Sequence, residues 1–310
     1  LMEIYLAIAE IAVYVLLVLV LGLATGFMAG MFGIGGGFLA TPLLMFIGIP
    51  PAIAVSTSTN QIIASSVSGL LAQLRKNNVD IRMGLVLVAG GFIGSTFGVS
   101  IFRILQSTGH IDIVIPLVYV IFLGSISITM LTDSVRNLLE KKYDIIWEKS
   151  NSGRLKKLIR KIDHLPWKFY FPKSDVTVSI IVPIVLSMGI GILVALMGIG
   201  GGFLMIPAMI YILRMPSSVV VGTSLFQIVF IASNATFLQA ITNNTVDVVL
   251  AFLMIISSSI GAQIGTRSGY KADPDSMRSF LSLLLLAVCV KMIFSLFSEP
   301  QSLYMIEVLK

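Results

Sequence analysis

Charge is scarce in this sequence. Lys and Arg number 21 and Asp and Glu 15, so 12% of the 310 residues are charged, about half the usual share. Hydrophobic residues make up 56% and the mean hydropathy is +0.99, which excludes disorder and argues against a water-soluble globular domain. The few charges are clustered, with 11 Lys/Arg and 6 Asp/Glu inside residues 133–175. From Ile11 to Leu74, 64 consecutive residues include no Asp, Glu, Lys, Arg or His. About 18 apolar residues suffice to suggest one spanning helix, so this stretch reads as bilayer-embedded and the protein as polytopic.

Other absences narrow the function. A single cysteine, Cys289, excludes a disulfide framework and a cysteine metal cluster. The two histidines, His110 and His164, fall in separate non-spanning segments, which argues against a histidine metal site, a Ser-His nucleophile and an enzyme in general. No G-x-x-x-x-G-K-[ST] loop is present, so ATP is not hydrolysed by that route. The net charge of +6 sits beside apolar segments, where it reads as a topology signal and not as a nucleic-acid footprint. Glu3 and Glu10 flank the start of the first apolar stretch without a positive leader, so that stretch is expected to be a retained helix, not a cleaved signal.

Apolar runs bounded by charge, Gly or Pro number ten: about 4–31, 38–49, 52–74, 83–105, 112–132, 176–197, 203–214, 218–241, 247–268 and 278–297. Eight are long enough to cross a hydrocarbon core of about 30 Å. The second and seventh are too short and are expected to be half-helices or re-entrant pieces.

The runs form a repeat. Gly33-Ile34-Gly35-Gly36-Gly37-Phe38 recurs as Gly198-Ile199-Gly200-Gly201-Gly202-Phe203 at an offset of 165, and Pro42 matches Pro207. At an offset of 166, Thr57-Ser58 matches Thr223-Ser224, Gln61 matches Gln227 and Asn77 matches Asn243; at 167, Asp80 matches Asp247. The expected fold class is therefore an all-α polytopic membrane protein of two five-segment repeats, 1–132 and 176–310, joined by a basic loop, 133–175. Five is odd, so the second repeat should be inverted. The charges agree. Residues 75–82 carry three basic side chains while the equivalent 242–249 carry none, so the positive-inside rule places 75–82, 133–175 and 267–278 in the cytoplasm and both termini outside. Inverted repeats are typical of secondary transporters.

The glycine clusters are the strongest motif. Glycine disfavours a helix by about 1 kcal/mol per residue, so Gly35, Gly36 and Gly37, and Gly200, Gly201 and Gly202, are expected to break their helices at membrane depth. Broken backbone is tolerated there only when buried in protein or lining a polar cavity. The half-helices that follow would aim N-terminal amides and a positive dipole end at the break, attracting anions without a cationic side chain. The bland reading is that the glycines only permit close helix crossing. The run Ser56-Thr57-Ser58-Thr59-Asn60-Gln61 and its counterpart Thr223, Ser224 and Gln227 offer neutral hydroxyl and amide groups for a small oxyanion; a helix cap is the competing reading, favoured for Ser56.

Remaining polar positions divide similarly. Asn234 is a candidate for pathway lining or an interhelical hydrogen bond. Lys291 is either a pathway cation or a snorkelling side chain. Asp80 and Asp247 read as helix starts, Arg214 as a topology anchor, and the central loop, with Trp147 and Trp167, as an amphipathic element on the inner leaflet. Small residues spaced by four, Gly22/Gly26/Gly30 and Gly90/Gly94/Gly98 with their counterparts Ser187/Gly191/Ala195 and Ser257/Gly261/Gly265, read as close-packing ladders.

The doubled Gly-Ile-Gly-Gly-Gly-Phe, each copy followed by Pro42 or Pro207 and then a Thr-Ser pair, resembles the TauE/SafE family of sulfite exporters. The resemblance implies a secondary carrier of small sulfur-containing anions such as sulfite, sulfoacetate or other organosulfonates, exporting by alternating access from a prokaryotic inner membrane. An anion channel or an uptake carrier for related anions is the alternative. No cofactor or metal is expected. The expected partners are a small anion and the lipid bilayer, not nucleic acid; a homodimer is left open as the assembly.

Overall fold

A computed structural model of the chain describes residues 3–32, 36–143, 166–269 and 274–297. Each half opens on a β-hairpin. Strands β1 (Glu3–Leu6) and β2 (Ile11–Tyr14) pair antiparallel with Glu3 opposite Tyr14; β3 (Lys168–Phe171) and β4 (Val176–Ser179) pair with Lys168 opposite Ser179. The offset of 165 carries the first hairpin onto the second, so the repeat begins earlier than the glycine motif.

These hairpins correct the expectation that 4–31 and 176–197 are uninterrupted helices. The apolar run hid a period of two: Leu6 and Val13 are buried while Tyr5 and Tyr14 are exposed, and both faces are hydrophobic. Glu10, in the left-handed region at φ 55°, closes the first turn with its amide on the Leu6 carbonyl at 2.8 Å.

Among the described residues, ten α-helices follow in the same order in both halves: α1 (Val15–Phe32), α2 (Gly37–Phe46), α3 (Pro51–Arg75), α4 (Ile81–Ser107) and α5 (Ile111–Tyr143), then α6 (Ile181–Met197), α7 (Gly202–Tyr211), α8 (Ser217–Leu238), α9 (Val248–Gly269) and α10 (Pro274–Phe297). Pro50-Pro51 and Pro216 start α3 and α8, where a missing amide costs nothing. Asp80 and Asp247 cap α4 and α9: Asp80 accepts from the Met83 amide, and Asp247 from those of Val249 and Leu250, all at 3.1 Å. A π-helix, Gln239–Asn243, ends α8. It lies beside the step from an offset of 166 to 167 and accommodates the extra residue.

Among the described residues, five stretches are long and apolar enough to span a bilayer: Val15–Phe32, Ile81–Ser107, Ile111–Thr132, Ser217–Asn243 and Val248–Ser268. The other three of the eight expected spans fall short for identifiable reasons. Helix α3 has 25 residues but is rich in Ser, Thr, Asn and Gln. Helix α6 has 17 because β4 takes the start of its apolar run, and the apolar part of α10 is Phe280–Leu296. Helix α5 runs past 132 to Tyr143. Trp147 lies outside the described residues, and Trp167 is an exposed residue at φ 66° leading into β3.

The chain forms two compact units that cut across the repeats: one of both hairpins with α1–α4 and α6–α9, the other of α5 and α10. In the first, α1 packs parallel to α9 and α4 parallel to α6. The glycine ladders set both contacts. A Cβ at Gly26 or Gly30 would stand 2.2 or 2.1 Å from the carbonyl oxygen of Ser258 or Ala262, and one at Gly90 or Gly94 would stand 2.4 or 2.0 Å from that of Ile184 or Met188. Backbone thus lies against backbone, which only small residues allow. Helices α3 and α8, equivalents in the repeat, run antiparallel: Gly69 meets Leu225, Ile62 packs with Ile228, and Ser56 bonds Thr245.

One hairpin sits at each end of this unit. Leu6 and Val13 share a core with Val18 of α1, Leu44 at the end of α2, Ile53 and Leu250, so α2 returns to the end from which α1 departs. Phe171 shares another with Met83, Val182, Met209, Leu213 and Val219, and α7 returns likewise. In the second unit, the Ser127 hydroxyl donates to the Ser282 carbonyl at 2.9 Å and Gly124 lies beside the Cys289 thiol, joining α5 to α10.

Two glycines on neighbouring helices test the ladder. Gly94→Val should abolish a folded, monodisperse protein in detergent. Gly189→Ala, on α6 with nothing within 4 Å of the added carbon, should leave Tm unchanged or raise it, since alanine gains up to about 1 kcal/mol in a helix.

Candidate functional site

The helix breaks occur where the glycines stand. Helix α6 ends at Met197 and α7 begins at Gly202, with Gly198 at φ 63° and Gly200 at φ 72°; α2 begins at Gly37 after Gly36 at φ 65°. Gly35 lies outside the described residues. The two breaks touch. A Cβ on Gly37 would be 2.3 Å from the carbonyl oxygen of Gly198 and 2.2 Å from Ile62 Cδ1, so the halves approach here through bare backbone. The first aromatic of each half-helix then stacks on the other: the Phe38 and Phe203 rings are 5.3 Å apart at 21°. Gly201 faces Ile190 of its own half.

Breaking α6 frees carbonyls that need donors. Hydroxyls of the first half approach two of them, Ser58 Oγ being shared with the Val55 carbonyl of its own helix at 2.8 Å. Thr41 Oγ1 lies 3.3 Å from the Met197 oxygen, Ser58 Oγ lies 3.3 Å from the Gly198 oxygen, and the two hydroxyls are 2.6 Å apart. Both residues are buried. Ser58 was expected in the site; Thr41 was not. The signal was available, because Thr41 is the one hydroxyl in an otherwise apolar half-helix and its counterpart is Ile206.

The two glutamines behave as a pair. Gln61 Nε2 donates to Thr25 Oγ1 at 2.6 Å, and Gln227 Nε2 donates to Ser187 Oγ at 2.8 Å. Thr25 and Ser187 themselves donate to backbone carbonyls, those of Leu21 and Leu87, and therefore accept from the amide nitrogen. That orientation leaves Oε1 of Gln61 and of Gln227 buried without a partner, and Thr57 Oγ1 is a third such atom. An unpaired buried polar atom costs about 1–3 kcal/mol. Among the described residues six buried side-chain atoms lack a partner, and three of them fall on fully buried residues singled out from the sequence; Ser66, Thr236 and Asn243 hold the others.

The remaining residues each make a bond of their own. Thr223 accepts the Asp80 amide at 2.9 Å, which ties the start of α8 to the cap of α4. Ser224 donates to the Val221 carbonyl and Asn60 to that of Ser56, both within their own helices. Asn234 donates to Ser95 Oγ at 2.8 Å, an interhelical bond between α8 and α4. Lys291 belongs to the second unit, exposed on an apolar face of α10 with Val290 and Phe294.

Paired interrupted helices, close-packed apolar helices and a buried neutral polar region define a multi-pass membrane protein of the transporter class. The chain belongs to the sulfite exporter TauE/SafE family, whose family model matches residues 18–292. It is 26% identical over 289 residues to the probable membrane transporter protein YunE of Bacillus subtilis, covering 91% of this chain and 97% of that protein. It is also 26% identical to the probable membrane transporter protein YjnA of the same organism, covering 89% and 98%. A shorter stretch of 109 residues is 28% identical to the sulfite exporter TauE/SafE family protein 3 of Arabidopsis thaliana, covering 34% of this chain and 23% of that protein. No solved structure matches the chain.

The cross-repeat cap yields a stability prediction. Thr41→Val combined with Ser58→Ala should destabilise the protein by about 1–3 kcal/mol, because buried carbonyls of α6 lose their donors. Thermal unfolding in detergent would read this as a lowered Tm, and an unchanged Tm would mean the break is satisfied otherwise.

Proposed function

We propose that this transporter is a secondary carrier of small sulfur-containing anions, such as sulfite, sulfoacetate or other organosulfonates, exporting them across a prokaryotic inner membrane by alternating access. One observation carries the reading. Two interrupted helices from opposite repeats meet at Phe38 and Phe203, and Thr57, Gln61 and Gln227, on the helices that follow them, each hold a buried polar atom without a partner. The half-helix N-termini at Gly36–Gly37 and Gly201–Gly202 supply positive dipole ends for an anion. The glutamine oxygens accept hydrogen bonds and so favour a species that brings hydrogen, either a protonated oxyanion or its retained water. Thr57, Ser58, Asn60, Gln61, Thr223, Ser224 and Gln227 are the proposed substrate shell.

In this reading α1, α3, α4, α5, α6, α8, α9 and α10 cross the membrane, and α2 and α7 are re-entrant. Since α2 and α7 return to the ends from which α1 and α6 depart, each of these pairs leaves the chain on the side where it began. Helices α3–α5 and α8–α10 then add three crossings per half, an odd number that inverts the repeats, and the antiparallel packing of α3 and α8 supports this. Basic residues at 75–82, 133–175 and 267–278 would face the cytoplasm, with both termini outside. A membrane potential negative inside favours anion exit by about 2.3 kcal/mol per charge per 100 mV. A channel for the same anions is the competing reading; unitary currents in a planar bilayer would establish it.

The test is flux of sulfite, sulfoacetate, sulfate and chloride in proteoliposomes. Gln61→Met and Gln227→Met should each cut sulfite flux at least about tenfold, while Tm stays level or rises because an unpaired buried oxygen is removed. A lowered Tm with undiminished flux per folded molecule would assign the glutamines a purely structural role.

A further inference from the structure

The two ends of the first unit are built alike but charged oppositely. At one end, hairpin β3–β4 and the turn after α7 enclose a cavity of about 250 Å³ lined by Lys168, Asp175, Ser179, Leu213 and Arg214. Arg214 stands at φ 56°, a conformation that a bulky side chain rarely adopts. The corresponding turn after α2 holds Gly48 at φ 93°, followed by Ile49-Pro50 as Arg214 is followed by Met215-Pro216. The fold calls for glycine here, and the second half supplies arginine instead. Backbone strain of this kind at a cavity wall points to function.

The other charged wall residues are exchanged too. At the offset of 165, Lys168 corresponds to Glu3 and Asp175 to Glu10. The three matched positions therefore sum to +1 at the β3–β4 end and −2 at the β1–β2 end. Asp175 is held by the Tyr170 hydroxyl at 2.8 Å. The surrounding surface extends the contrast, because Lys173 reaches Asn77 in the α3–α4 turn at 2.6 Å, and Arg75, Lys76 and Arg82 flank that turn.

We propose that this cavity is an anion-capture vestibule, in which Lys168 and Arg214 concentrate a small oxyanion at the β3–β4 end before it enters the membrane. The assignment of that end to the cytoplasm, and hence of capture to export, rests on the transport reading above. A cleft of net positive charge, here two cations against Asp175, raises the local concentration of anions. Screening confines that effect to about 8 Å at physiological salt, so it acts at the mouth only and weakens as salt rises. The acidic pair Glu3 and Glu10 at the opposite end disfavours rebinding of an anion that has crossed.

Two measurements test this. Thermal unfolding of the purified full chain in sodium sulfite, compared with sodium gluconate at equal ionic strength, should show a sulfite-dependent rise in Tm. Lys168→Gln and Arg214→Gly should each remove more than half of that rise. Arg214→Gly installs the residue that the backbone conformation favours, so its Tm in gluconate should not fall. In sided membrane vesicles, the ratio of half-saturating sulfite at the basic face to that at the opposite face should increase at least about threefold in either variant. No sulfite-dependent rise in the wild type, or an equal rise in wild type and variants, overturns the vestibule even where wild-type vesicles carry sulfite. A variant-sensitive rise in a protein that carries no sulfite retains the anion site and removes the transport reading.

Discussion

A broken helix at membrane depth must have its backbone satisfied by something other than water, and much of this structure follows from that constraint. Helix α6 stops at Met197, and its last carbonyls meet hydroxyls of Thr41 and Ser58 from the other half of the chain. The second half thus draws on the first at its break. The contact requires Gly37 to lie against the Gly198 carbonyl, which brings α2 and α7 close enough for Phe38 to stack on Phe203. A local polar requirement thereby fixes how the two repeats interlock.

The same reciprocity holds away from the breaks. Helix α1 lies on α9, and α4 on α6, through glycine and carbonyl contacts that exchange the halves. Asp247 caps α9 and also accepts the Ile8 amide at the tip of the first hairpin; Asp80 caps α4 and accepts from Ser174 at the tip of the second. Each hairpin is thus held by an acid from the opposite repeat. An aspartate that serves helix and hairpin together couples the position of the hairpin to the start of that helix. Both carboxylates are buried, so loss of either bond leaves a buried oxygen short of a donor, which is costly.

Much of this was legible in the sequence, and the rest was hidden for physical reasons. The glycine clusters, the repeat and the ladders could be read because glycine has a specific backbone meaning and because two copies corroborate each other. Asp80 and Asp247 read correctly as helix starts. The hairpins were invisible because a period-two pattern with apolar residues on both faces is indistinguishable from an apolar helix run. Thr41 carries no repeat signal, because its match is Ile206. Thr57 and Thr223 are equivalent in the repeat, yet Thr223 accepts the Asp80 amide while Thr57 Oγ1 has no partner. Such differences depend on the exact placement of a neighbouring helix start, which spacing alone does not encode.

Those departures from symmetry matter because, in the proposed inverted arrangement, two identical halves would present the same surface to both faces of the membrane. Fusing the halves in one chain lets them diverge. One extra residue in the turn after α7 accompanies Arg214, and another is taken up by the π-helix before Asp247. Divergence of this kind cannot drive net movement, since a carrier with no energy source relaxes to the same electrochemical equilibrium whatever its charges. It can set how concentrated an anion must be at each face to occupy the site. Under a potential of 100 mV, each net negative charge moved outward gains about 2.3 kcal/mol. In the proposed cycle that term sets the direction, and the unlike ends of the fold set the concentrations at which each face becomes saturated.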